Sequence, residues 1–166
     1  MTRRALWVCY LALWAATGAG TGLALAGVHL ITVPAPRDAL EPNLATAMEL
    51  FAHNALVALW PLALTALGWH GLTGIRLVGD ALLAAQLVAH GLLVGSALGQ
   101  HPETWRYLPH LPLEWLAIAT PAAAWLTARR GRPARPAATT LAAGAGACVA
   151  ALLGAAPIET YLVPVT

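Results

Sequence analysis

The stretch Tyr107–Ile118 reads YLPHLPLEWLAI and opens an apolar segment that runs on to about Ala128. It places two ionisable side chains, His110 and Glu114, at the mouth of a membrane helix. Four residues apart, they project from one helix face a turn apart, with Pro109 as a favoured first-turn residue. A histidine and a carboxylate so arranged can hold a proton and pass it on. A carboxylate facing lipid would be costly, so the couple should turn inward to protein or water. Glu49 and His53 repeat the couple in reverse order, with Asn54 beside them, and Glu159 adds a further acid near the end of the chain. His90 stands alone near the middle of another apolar segment, where an unpaired polar group is expensive and a partner is expected.

The elements that must carry these groups are membrane helices. Of 166 residues, 59% are hydrophobic and 10% charged, and lysine is absent. Soluble domains carry nearer a quarter charged residues. The arginines cluster by loop and are not interleaved with aromatics along one face, so nothing suggests a nucleic-acid partner. Cys9 and Cys148 lie inside apolar segments and read as packing residues, with no disulfide framework and no metal spacing.

Five spans are expected, in an all-α, single-domain bundle: about 5–33, 45–69, 77–98, 109–128 and 138–156. The first is too long for the apolar core of a signal peptide and is read as an uncleaved span. Gly18 and Gly22 in span 1, and Gly91, Gly95 and Gly99 in span 3, have the four-residue spacing that lets helices approach closely. Pro34–Asp38 breaks the chain after span 1, and the arginine-rich run 129–136 ends span 4. Pro61 inside span 2 frees a carbonyl that some neighbour must satisfy. With the amino terminus inside, Arg3, Arg4, Arg76, Arg129, Arg130, Arg132 and Arg135 are cytoplasmic, against Arg37 and Arg106 outside. The positive-inside rule therefore puts the N-terminus in the cytoplasm and the C-terminus outside. The expected location is the cell membrane.

In this topology spans 2 and 4 both begin at the outer surface. Glu49, His53, Asn54, His110 and Glu114 then share one depth, and Glu159 returns to the same side. His29, His70 and His101 are instead read as side chains reaching the headgroups.

Phe51-x-x-Asn54, the glycines Gly68 and Gly71, His90-Gly91-x-x-x-Gly95, Leu108-Pro109-His110 followed by Glu114, and Pro157-Ile158-Glu159-x-Tyr161-x-x-Pro164 together resemble the stage II sporulation protein M family of five-span membrane proteins. The resemblance covers about residues 49–164. His90 stands where that family usually has asparagine, and Leu111 where it has glycine after Pro-His. The resemblance implies a polytopic partner in a larger membrane assembly, serving cell-envelope remodelling or the maturation, export or self-protection of ribosomally made peptides. It puts His110, Glu114, Asn54 and Glu159 at the family's recurring polar positions.

Three functions follow as expectations. The first is a non-catalytic subunit or scaffold, its polar cluster fixing helix register, with a second membrane protein or another copy as partner. The second is a cofactor-free acid–base enzyme, such as a peptide epimerase, with His110, Glu114, Glu49 and His53 exchanging protons across a pocket and Asn54, His90 and Glu159 in support. The third is a proton-coupled transporter or export subunit. No nucleotide loop, GxSxG or HExxH occurs. Neither an organic cofactor nor a metal is expected, since helix-borne di-iron sites use a Glu-x-x-His spacing these couples lack.

Overall fold

A computed structural model describes residues 1–33, 43–130 and 138–158. The described residues form five α-helices: α1 (Arg3–Leu25), α2 (Leu44–Ala66), α3 (Thr73–Gln100), α4 (Leu111–Ala128) and α5 (Ala138–Pro157). Short 3₁₀ turns occupy Trp69–Gly71 and Pro102–Tyr107, and no strand occurs among the described residues. Helices α1, α2, α3 and α5 are long and apolar enough to cross a membrane.

Local chemistry fixes the helix ends. Thr2 caps α1 by accepting from the Ala5 N–H, and Asn43 Oδ1 accepts from Thr46 N at 2.8 Å to cap α2. Helix α1 does not reach Val33 as the apolar run suggests. It stops at Leu25, because Gly27 adopts φ 79° and the Val28 and Gly27 N–H groups turn back to the carbonyls of Leu23 and Ala24. That pair of bonds is a Schellman cap, and it outranks hydrophobicity as a stop signal. Gly68, at φ 75°, ends α2 in the same left-handed conformation, three residues short of the expected end. Helix α3 is longer than expected at both ends, and α5 ends one residue beyond its predicted limit. Pro109 lies in the turn before α4 and is not a first-turn residue; Pro112 takes that role.

Packing is closest between α1 and α3, which run parallel. A Cβ at Gly91 would meet the Ala16 side chain at 2.5 Å and the Leu13 carbonyl at 2.8 Å, and one at Gly99 would meet Ala24 and the Thr21 carbonyl. At Gly95 it would fall on the Thr17 carbonyl itself. The glycine that answers from α1 is Gly20, whose Cβ would come within 2.7 Å of the Leu92 carbonyl. Gly18 and Gly22, the expected packing pair, face open space. The spacing rule therefore holds on α3 but picks the wrong face of α1, where Leu13, Ala16, Thr17, Gly20 and Ala24 are the buried residues.

Helix α4 is the centre of the bundle, in contact with α1, α2 and α5. Its 18 residues include ten buried ones, among them Trp115 and Trp125. Enclosure by protein explains why this helix can carry two prolines, two threonines and a glutamate: the surrounding helices supply its solvent. Buried hydroxyls are met locally, Thr17, Thr65 and Thr120 each donating to the carbonyl four residues earlier. Helices α2 and α3, in contrast, are not packed backbone to backbone, and a crevice separates them.

Candidate functional site

The crevice between α2 and α3 is closed at the back by α4 and α5 and encloses about 280 Å³. His53 and Asn54 line it from α2, His90 from α3, and Glu114 and Trp115 from α4, with leucine, valine and isoleucine between them. Four of the polar residues singled out in the sequence thus share one cavity.

Glu114 sits in the first turn of α4, 17% exposed. Asn54 Nδ2 donates to its Oε1 at 3.0 Å, which ties α2 to α4. His110 Nε2 lies 3.8 Å from Oε2, too far for a hydrogen bond but within ion-pair range when the ring is protonated. The His110 carbonyl accepts the Glu114 N–H at 3.2 Å, so the couple keeps its one-turn spacing although α4 starts two residues later than expected. His110 itself is buried beside the cavity and is not part of its lining.

His90 has a defined partner. Its Nδ1 lies 2.9 Å from the Gln86 carbonyl oxygen. A carbonyl only accepts, so Nδ1 carries the proton, and in the neutral ring Nε2 is the bare nitrogen. The partner that an unpaired polar group in an apolar run demands lies one turn back on α3 itself.

Gln86, one turn before His90, bridges α3 to α2 beside the crevice. Pro61 has no N–H, which leaves the Val57 carbonyl without its helical partner. Gln86 Nε2 donates to that carbonyl at 2.9 Å, and Trp60 Nε1 donates to Gln86 Oε1 at 2.6 Å. One side chain of α3 thereby repairs the break in α2 and holds the two helices at a fixed distance.

No other predicted site group among the described residues lines the cavity. Glu49 is exposed and does not line it, so the two acid–imidazole couples do not face each other. The four-residue repeat that pairs Glu49 with His53 in sequence leaves Glu49 a full turn nearer the helix end. Glu159 lies outside the described residues. Among the histidines read as interfacial, His29 is exposed, and His101 Nε2 bonds the Val33 carbonyl at 2.9 Å. His70 departs from that reading: it is 3% exposed, packed edge-on against Trp125, with no hydrogen-bond partner for either ring nitrogen among the described residues.

A second polar cluster, which sequence reasoning missed, lies at the opposite end of the bundle. Asp80 accepts from Trp125 Nε1 at 2.9 Å and pairs with Arg129, while Gly79 makes room for the Trp125 ring. An acid at the fourth residue of a predicted span was the available signal. Gln86 left a weaker one, as the amide facing a proline-broken helix. Among the described residues no group of three His, Cys, Asp or Glu side chains is placed to hold a metal ion. Cys9 and Cys148 are buried thiols.

No family model matches the chain, nor does any curated protein or solved structure.

Proposed function

We propose that this protein crosses the cell membrane five times and that the crevice between α2, α3 and α4 binds a small group with which it exchanges a proton. The observation that carries the reading is the shared cavity of His53, Asn54, His90 and Glu114. A carboxylate and two imidazoles from three helices, beside a void large enough for a ligand, exceed what helix register alone requires. Glu114 is the proton-holding group, Asn54 orients its carboxylate, and His110, whose charged form burial disfavours, stands behind it as a neutral ring. His90, with its tautomer set by Gln86, is the group that accepts or returns a proton on the far side. Glu49 has no part in this version of the acid–base reading.

The topology supports it. Helices α1 and α3 start, and α4 ends, at one end of the bundle, where Arg3, Arg4, Arg76, Arg129 and Arg130 gather; Arg106 stands near the other. Under the positive-inside rule the arginine-rich end is cytoplasmic and the crevice lies toward the outer surface. Helix α4 then crosses as well, beside the four longer apolar helices, at about 27 Å long from its 18 residues.

Infrared spectroscopy of the protein in bilayers tests the proposal. The expected result is a protonated-carboxyl band that titrates reversibly while the fold persists and is absent from Glu114→Gln. A Glu114 that keeps one protonation state over the whole range of folded pH contradicts it.

A second reading, a scaffold subunit of the kind the stage II sporulation protein M resemblance implies, is favoured by the bonds Asn54–Glu114 and Gln86–Val57, which tie helices together. On that reading the chain works with a second membrane protein or another copy, in envelope remodelling or in handling a peptide. Asn54→Ala would then lower the yield of an isolated complex in proportion to the loss of folded protein, with no folded but inactive species.

A further inference from the structure

We propose that the ligand of this crevice is an amphiphile with an amine head, and that it enters sideways from the bilayer between α2 and α3. The inference rests on the reading of the crevice as a binding site and adds the ligand's chemistry and route.

The head group follows from what the walls offer. Asn54 gives one Nδ2–H to Glu114 and keeps its acceptor Oδ1 beside the second N–H, so the amide can accept from a ligand's donor. His90 commits Nδ1–H to the Gln86 carbonyl, so its remaining nitrogen is an acceptor too. Glu114 brings a carboxylate to the same wall. Trp115 lines the cavity, but its Nε1 is buried, so the ring offers carbon and π surface, which favours a cation. Acceptors, a carboxylate and an aromatic ring together suit a donor-rich cation and oppose an anion.

The route follows from the packing. Helices α2 and α3 do not pack closely against each other, and the Trp60–Gln86–Val57 bonds bridge them on the side of the crevice nearer Pro61. Leu93 lines the cavity and is 47% exposed, and His53 on the opposing helix is exposed as well. The open side therefore faces the lipid between these helices, with Leu50, Val57 and Val94 as apolar surface for a hydrocarbon chain. An amine on an alkyl chain satisfies both walls and mouth.

The test uses the full chain in liposomes, with Cys9→Ala and Cys148→Ala and one reporter, Leu93→Cys. Decyl methanethiosulfonate, which partitions into lipid, is expected to label the reporter, and the charged sulfonatoethyl reagent is not. Labelling by the charged reagent alone would overturn lateral entry. Dodecylamine is expected to slow labelling roughly tenfold, the scale of one charge-assisted hydrogen bond; dodecanoate and butylamine are expected to have no effect. Equal protection by dodecylamine and dodecanoate, or by none of the three, would overturn the amine assignment. His90→Gln and Glu114→Gln, each checked for folding by circular dichroism, are expected to abolish the protection, and its persistence in both would contradict the proposal. A titrating Glu114 with no amine protection rejects this inference alone, whereas a Glu114 that never titrates rejects the reading beneath it.

Discussion

At the scale of single residues, the Val57 carbonyl shows how one covalent fact sets a chain of requirements. Pro61 removes an N–H, a carbonyl in an apolar segment loses its partner, and Gln86 supplies one. Gln86→Leu should therefore destabilise the protein by about 1–3 kcal/mol, the cost of a buried unsatisfied group, as read from SDS-induced unfolding. Pro61→Ala restores the missing N–H, so Pro61→Ala/Gln86→Leu should recover part of that loss. Equal unfolding of the single and double variants would show that Gln86 acts elsewhere. The demand was legible in the sequence as a proline inside an apolar run; the answer was not, because it depends on which face of α3 meets α2. Asp80 follows the same logic. Asp80→Ala leaves the Trp125 indole and Arg129 without their acceptor and should cost about 1.5–3 kcal/mol, the range for hydrogen bonds to charged groups. A change below about 0.5 kcal/mol, the range of ordinary surface substitutions, would mean solvent already serves both.

At the scale of elements, glycine spacing needs a partner's contour before it has meaning. Gly91, Gly95 and Gly99 lie against α1 so closely that a methyl group at Gly95 would strike the Thr17 carbonyl. Gly18 and Gly22 share the spacing, but a Cβ at either would meet nothing within 4 Å among the described residues. Gly95→Leu is expected to separate α1 from α3 and lower stability by about 1–3 kcal/mol or more, while Gly22→Leu should unfold like the parent. The reverse order would refute the α1–α3 interface. Helix number and type were readable from apolar runs broken by Pro and Gly. Helix limits were not, because Gly27 and Gly68 act through left-handed backbone and not through polarity. The site was half readable: His53, Asn54, His90 and Glu114 stand out as polar groups in apolar runs. The exclusion of Glu49 depends on where α2 leaves the wall of the crevice.

At the scale of the whole molecule, helix direction and charge distribution agree. Arginines gather at one end, and the crevice with Glu114 lies toward the other. The five crossings proposed would put the termini on opposite sides, so a reporter that is active only in the cytoplasm should work at the N-terminus and fail at the C-terminus. Activity at both ends would mean an even number of crossings, with α4 enclosed but not spanning. In the proposed site, residues on separate helices act on one shared proton. The most direct measurement is the titration midpoint of the Glu114 carboxyl band, in bilayers, for the parent and for His90→Gln, His53→Gln and Glu49→Gln. The account predicts that the two histidine variants displace the midpoint and Glu49→Gln leaves it in place; a midpoint indifferent to both histidines would contradict it.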